Sequence, residues 1–237
     1  MRTNNHISKT NGGKEVMGAG SFSKIAQKMY VTGPILTRKF QHWRPYICPF
    51  EKLVGYINDG SRVLDIGCGA GLLLSLATGM RKEFEGVGFD SSRRAIGVAK
   101  DMAARASALF PKARLSFERI GNYDGWPKET FDVVFLIDVL HHVHAASQHE
   151  FLLQAISRVK PGGLLVYKDM CIRPRWKAQA NRLHDLVLAG EHITYLPIET
   201  AEQWALGGGL EVVVSEEFPR LWYGHELRVF KRSNAGY

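Results

Sequence analysis

The sequence has few cysteines and no long apolar segment. Its three cysteines, Cys48, Cys68 and Cys171, stand far apart and are odd in number, which predicts a reducing compartment without a disulfide framework. No apolar run approaches the roughly 20 residues that a membrane-spanning helix needs. The polar N-terminus lacks the apolar core of a signal peptide, and residues 1–20 are expected to form a disordered tail. We therefore expect a cytoplasmic protein without a membrane span.

Acidic residues are fewer than basic ones. The chain of 237 residues has 31 Lys and Arg against 23 Asp and Glu, a formal net charge of +8. Such an excess suits nucleic acid, an anionic membrane surface or an acidic substrate. The basic residues never form a run of five and are spread along the chain, so we do not expect nucleic acid as the partner.

From Ser61 onward, short apolar strands alternate with helical patterns. The predicted strands are 62–67, 85–90, 113–120, 131–137 and 164–170, and the predicted helices are 72–80, 91–110 and 149–160. Ser91 or Ser92 can cap the second helix, and Pro161-Gly162-Gly163 is expected to end the third. This alternation predicts an α/β fold with a parallel sheet and helices on both faces.

Three further segments depart from that alternation. The last two strands, 210–218 and 226–232, have no helical pattern between them and predict an antiparallel pair at the sheet edge. Two short amphipathic helices, 21–30 and 48–57, flank an aromatic and basic segment, and 21–60 is expected to form an N-terminal helical cap. An insertion at about 170–197 is expected to cover the carboxyl edge of the sheet as a lid.

The stretch "VLDIGCGAG" carries the strongest signal for a ligand. Gly67, Gly69 and Gly71 follow a buried strand and open a helix, so the backbone can turn tightly and approach a ligand. Dinucleotide-binding proteins space these glycines differently and have a third one where Leu72 stands. Asp65 would repel a pyrophosphate but suits a cation, and Asp90 ends the second strand, where an acid can accept both ribose hydroxyls.

The stretches "VLDIGCGAG", "GVGFD", "FDVVFLIDVLHHV" and "RVKPGG" follow one another in the order and at the spacing of the motifs of class I S-adenosylmethionine-dependent methyltransferases. From about Val63 to Lys231 the chain resembles this family. The resemblance implies a Rossmann-like, mostly parallel seven-stranded sheet of order 3-2-1-4-5-7-6 with strand 7 antiparallel, in a domain over 61–237. It also implies that S-adenosylmethionine is the cofactor. The residues implied to hold the cofactor are Asp65, Gly67, Cys68, Gly69 and Gly71 for the methionine portion, and Asp90 for the ribose. Ser91 is also included among the predicted cofactor residues.

The adenine contact departs from the family pattern. Many relatives have a Gly-Asp pair after strand 3, whose acid accepts from the adenine amino group, but this chain has Gly121-Asn122 followed by Tyr123 and Asp124. The side-chain carbonyl of Asn122 could take that hydrogen bond, with Asp124 as the alternative. Tyr123 is included among the predicted cofactor residues.

The stretch "LIDVLHHVHAAS" concentrates three histidines beyond strand 4, whose carboxyl end faces the ligand crevice of such a sheet. Their spacing matches no metal motif, so we expect no metal site. Asp138 and His142 are expected to support the cofactor side, with a role as base the alternative for His142. His141 is the position more specific to the substrate, as a base or a substrate contact, and His144 is expected to be incidental.

Motifs of nucleic-acid and protein-arginine methyltransferases are missing at the matching positions, which leaves a small-molecule acceptor. The basic and aromatic residues of the expected lid and of the N-terminal segment suit an anionic or aromatic one. The residues predicted to contact it are Tyr46, Arg173, Trp176 and Tyr195. O-methylation is the first expectation; C-methylation of a quinone-like or carrier-bound intermediate and methylation of RNA stay open as alternatives. The oligomeric state also stays open, a homodimer among the alternatives.

Overall fold

The computed structural model of the protein describes residues 17–112, 114–121, 123–170, 194–220 and 223–234. Its seven strands form one sheet of order β3-β2-β1-β4-β5-β7-β6. The strands are β1 (Arg62–Ile66), β2 (Glu85–Asp90), β3 (Arg114–Arg119), β4 (Phe131–Ile137), β5 (Val159–Met170), β6 (Leu210–Arg220) and β7 (Tyr223–Arg232). β1 to β5 pair in parallel, and β7 pairs antiparallel with both β5 and β6. The predicted strand order and the antiparallel pair are confirmed.

Helices cover the sheet as the alternation of apolar patterns predicts. They are α1 (Ala19–Met29), α2 (Ile35–Ile47), α3 (Phe50–Leu53), α4 (Leu72–Gly79), α5 (Arg93–Leu109), α6 (Gln148–Ser157) and α7 (Ile198–Gly207). The Ser92 hydroxyl accepts from the Ala95 amide at 3.2 Å and so caps α5, one of the two predicted caps. Within the described residues, none of the helices has both the length and the apolar character needed to cross a bilayer.

Two hydrophobic clusters lie on opposite faces of the sheet, and β4 contributes to both. Val133, Phe135 and Ile137 point into one cluster, whereas Val134 and Leu136 point into the other. A strand covered on both faces has no polar side, which explains the continuous apolar run in its sequence. The central strands are therefore firmly held, and their carboxyl ends form a rigid edge for a site.

The end of α6 differs from the prediction. The helix stops at Ser157, and β5 begins at Val159 and runs through Pro161, Gly162 and Gly163, which were expected only to end the helix. Gly162 has a φ of 76°, and the pairing of β5 with β4 shifts register between Phe131 and Val133. A bulge of this kind lets a Pro-Gly-Gly segment remain in a strand.

The N-terminal segment is more helical than its sequence pattern indicates. Predicted helix 21–30 corresponds to α1, and predicted helix 48–57 corresponds to α3 and a 3₁₀ turn at Val54–Tyr56. The aromatic and basic segment between them was not predicted to be helical, but most of it lies in α2. The expected tail falls mostly, and the expected lid almost wholly, outside the described residues.

Candidate active site

A cavity of about 890 Å³ opens at the carboxyl edge of the sheet, where the ends of β1, β2, β4 and β5 meet. Of the predicted site residues, Gly67, Gly69, Asp90, Ser91, Tyr123, Asp138, His141 and His142 line it. The other described ones, Tyr46, Asp65, Cys68, Gly71 and Tyr195, do not. The predicted residues Asn122, Arg173 and Trp176, like Cys171, lie outside the described residues.

The glycine loop after β1 is shaped for close approach. Gly67 has a φ of 67°, and a Cβ there would lie 2.5 Å from a methyl group of Val139, so a side chain would clash with the turn after β4. Gly69 has a φ of 54°, but a Cβ there would meet nothing within 4 Å and would project into open space at the cavity. The loop therefore presents bare backbone to the cavity at Gly69.

Asp90 ties this loop to the end of β2. Its Oδ2 accepts from the Gly69 amide at 2.9 Å, and its Oδ1 accepts from the Ser92 amide at 2.8 Å. Each carboxylate oxygen keeps a further lone pair, and the residue lines the cavity. The carboxylate is thus held in one orientation with acceptor capacity left for a ligand.

Asp65 is a buried carboxylate in β1. It is 4% exposed, and within the described part of the chain no hydrogen bond or ion pair reaches its oxygens. Burial raises its pKa to about 7; the positive charge of Arg44 opposes that rise and the negative charge of Asp90 adds to it. A carboxylate in this state is stabilised by a cation, so it fits the ammonium group of the methionine portion of S-adenosylmethionine.

A second group of charges, which we call the basic cluster, consists of Arg44, Asp138 and Lys168. The Lys168 ammonium lies 2.6 Å from Asp138 Oδ1, and an Arg44 guanidinium nitrogen lies 3.4 Å from Oδ2. Burial favours a raised pKa for Asp138, but these two cations outweigh it and hold the pKa well below its usual range. Asp138 also has a φ of 54°, a strained conformation for a residue with a side chain.

His141 lies in the 3₁₀ turn Leu140–His142 directly after β4 and is 1% exposed. Its Nδ1 is 2.5 Å from Oδ1 of Asp169, which lies next to the last residue of β5. Asp169 is itself held by the Tyr167 hydroxyl at 3.3 Å and the Met170 amide at 2.8 Å. Because β4 and β5 are neighbouring parallel strands, their ends bring the histidine and the carboxylate together.

The turn that carries His141 is braced from behind. The buried side-chain amide of Gln148 donates to the carbonyl oxygens of Leu140 at 3.0 Å and Thr194 at 2.8 Å. The Thr194 amide donates to the His141 carbonyl at 3.0 Å, and the Tyr195 ring lies 5.7 Å from the His141 ring. His142 is exposed and lines the cavity, with its ring 4.2 Å from that of His141. His144 is also exposed, but it does not line the cavity.

Sequence reasoning did not single out Lys168, Asp169 or His225 as site residues, although Lys168 and His225 line the cavity and Asp169 holds His141. The sequence did contain an indication for Lys168 and Asp169. A Lys-Asp pair at the carboxyl end of an apolar strand is unusual, because charged residues are rarely buried. Within the described ranges, no group of three or more His, Cys, Asp or Glu is arranged to hold a metal ion.

The fold and the cavity define a class I S-adenosylmethionine-dependent methyltransferase. The family described as methyltransferase domain matches residues 38–215, and the chain belongs to it. This chain is 28% identical over 191 residues to a ubiquinone biosynthesis O-methyltransferase of Rhodopseudomonas palustris. The aligned region covers 79% of this chain and 67% of the relative. A Bradyrhizobium diazoefficiens protein of the same name is 33% identical over 133 residues, or 55% of this chain and 48% of that protein.

Solved structures share the fold at low identity. Magnesium protoporphyrin IX methyltransferase from Synechocystis, with bound S-adenosylhomocysteine, superposes with a TM-score of 0.64 at 16% identity, covering 89% of this chain and 94% of that one. An O-methyltransferase family protein from Burkholderia thailandensis has a TM-score of 0.63 at 19% identity and covers 84% of this chain and 60% of that one.

Proposed function

We propose that this enzyme methylates a hydroxyl group of a small aromatic acceptor and that His141 removes the hydroxyl proton. The observation that carries the proposal is the buried His141–Asp169 pair at 2.5 Å beside the cavity. An enzyme that only aligns the acceptor with the methyl donor needs no base. A hydroxyl acceptor must also lose its proton, and a histidine held by a carboxylate can accept it. The names of the curated relatives, which are O-methyltransferases, support the same chemistry.

The two ends of the cavity receive different ligands in this proposal. The backbone at Gly67 and Gly69 and the Asp90 carboxylate hold S-adenosylmethionine from the cavity wall, with Asp90 on the ribose. The buried Asp65 carboxylate, two residues before Gly67, accepts from the cofactor's ammonium group. Asp138 is bonded to Arg44 and Lys168 and so holds these two cations at the cavity. The acceptor lies against this cluster and the apolar side chains beside it, which are Phe40, Ile47, Ile137 and Met170.

When bound, S-adenosylmethionine supplies a methyl group activated by its positively charged sulfur. In this proposal Nδ1 of His141 donates its proton to Asp169, and Nε2 is the ring nitrogen that acts as the base. His141 Nε2 takes the acceptor proton as the oxygen–carbon bond forms and the carbon–sulfur bond breaks, and then releases it to solvent. Lys168 and Arg44 stabilise negative charge that develops on the acceptor oxygen or that the acceptor carries on a carboxylate.

A methyl-transfer screen tests this function. The enzyme is incubated with cofactor labelled in the methyl group and with catechols, hydroxybenzoates and resorcinols, each paired with the corresponding aniline. We expect label on oxygen, identified by mass spectrometry, and no transfer to the anilines. Label on ring carbon, on nitrogen or on bulk transfer RNA would overturn O-methylation and favour the alternative that it identifies.

The pH dependence of cofactor affinity tests the role of Asp65. Its pKa of about 7 means that the carboxyl is largely protonated in acid, and a positively charged ligand must then displace that proton. Affinity is expected to rise about tenfold per pH unit from about pH 5 to about pH 7 and to level off above. Calorimetry across this range measures it, and Asp65→Asn should be nearly independent of pH. A wild-type protein with constant affinity would contradict the assignment.

A further inference from the structure

Helix α2 exposes the side that a soluble protein normally buries. Its buried residues are Gln41 and Pro45. Its large apolar side chains face outward instead: Leu36 is 79% exposed, Ile35 61%, Trp43 50% and Phe40 44%. An amphipathic helix packed on a core shows the opposite arrangement, so packing within the described chain does not account for this apolar face.

The exposed apolar residues are concentrated in one place. With Val31 and Tyr46, this segment holds six of the eleven large apolar side chains exposed among the described residues. Leu36, Phe40 and Trp43 are spaced four and three residues apart, which places them along one face of α2. Single exposed apolar residues are ordinary, whereas a contiguous patch marks a surface that binds something apolar.

Charge selects the partner. Residues 17–50 contain five basic residues and no acidic one; the acids nearest to this range are Glu15 and Glu51. Of the five, Lys39 is exposed beside Leu36 and Trp43 on the apolar face. Arg44 is paired with Asp138, and Arg38 donates to the Val31 carbonyl oxygen, so Lys39 is the charge that this face presents outward. A second copy of the chain would bring the same positive charges into contact, whereas an anionic surface complements them.

We propose that α2 docks the protein onto an anionic membrane surface. Trp43 and Leu36 enter the boundary between headgroups and acyl chains, and Lys39 contacts lipid phosphates, which is how an amphipathic helix lies on a membrane. Phe40, Arg44 and Ile47 of the same helix line the cavity, so docking places the cavity mouth at the lipid surface. The docking does not depend on which acceptor is methylated.

Cosedimentation of the full chain with vesicles tests the proposal. We expect binding to phosphatidylcholine vesicles that contain phosphatidylglycerol, much weaker binding to phosphatidylcholine alone, and loss of binding as salt rises. Leu36→Ser with Trp43→Ser should weaken binding by about tenfold or more, because two large apolar side chains leave the bilayer. The matched control replaces two other exposed leucines at helix ends, Leu109→Ser with Leu206→Ser, and should bind like the wild type.

A second measurement does not require the double variant to fold. Brominated acyl chains should quench the tryptophan fluorescence of vesicle-bound wild type, and Trp43→Phe should still bind but lose that part of the quenching. Failure of the wild type to bind anionic vesicles, equal binding to both compositions, or quenching that Trp43→Phe leaves unchanged would each overturn the proposal. A dimer that the double serine variant abolishes, without vesicle binding, would assign the face to a second copy and also overturn it.

Discussion

His141→Ala is expected to lower the rate of methyl transfer by about 100-fold to 10000-fold, the range that a general base contributes. The residue is 1% exposed, lies in the 3₁₀ turn beyond β4, and its Nδ1 is 2.5 Å from Asp169 Oδ1. Its removal leaves the glycine loop and Asp90 unchanged, so cofactor affinity measured by calorimetry should stay within about twofold. The loss should therefore appear in kcat for the acceptor that the screen identifies.

Matched variants separate the chemical role from a structural one. His149→Ala removes an exposed histidine that contacts the Trp204 ring outside the cavity and should leave kcat unchanged. Asp169→Asn keeps the shape of the positioning residue but removes its charge, and it should lower kcat by less than His141→Ala without changing cofactor affinity. Equal kcat in His141→Ala and wild type would remove the histidine from the reaction.

Asp90→Ala is expected to weaken S-adenosylmethionine binding by about 100-fold or more. In the proposed binding mode Asp90 accepts from both ribose hydroxyls, and two charge-assisted hydrogen bonds of about 1.5 to 3 kcal/mol each would be lost, where about 1.4 kcal/mol corresponds to a factor of ten. The carboxylate also holds the amides of Gly69 and Ser92, so its loss loosens the loop that faces the ligand. Titration calorimetry measures the affinity.

The control for this prediction is Asp101→Ala. Asp101 is an exposed acid on α5 that does not line the cavity, so its loss changes the net charge equally without touching the site. Affinity should match the wild type. If Asp90→Ala bound the cofactor as tightly as Asp101→Ala, the ribose would have to lie elsewhere in the cavity.

Local patterns of the sequence predicted the central fold, and they singled out Gly67, Gly69 and Asp90, which line the cavity. The glycine loop, Asp65 and Asp90 lie within or next to buried strands, and strand ends converge by rule in a parallel sheet. Asp169 could not be assigned in this way, because its role arises only when the ends of β4 and β5 bring it to His141. The pairing of Asp138 with Lys168 and Arg44 is likewise a contact between distant parts of the chain.

Helix α2 shows a different limit of pattern reading. Apolar residues at helical spacing normally indicate a face that packs on the core. In this helix Gln41 and Pro45 are buried while Leu36 and Trp43 are exposed, so the apolar spacing marks the outer face. Periodicity identifies the face of a helix that is apolar, and only the tertiary structure shows what that face contacts.

A single-turnover measurement tests the central claim most directly. Enzyme in excess, loaded with methyl-labelled cofactor, is mixed with the acceptor and quenched over time, so the chemical step is observed apart from binding and product release. We predict that wild type forms the O-methylated product and that His141→Ala, at equal cofactor occupancy, forms it at least about 100-fold more slowly. Equal rates for the two proteins would contradict the account.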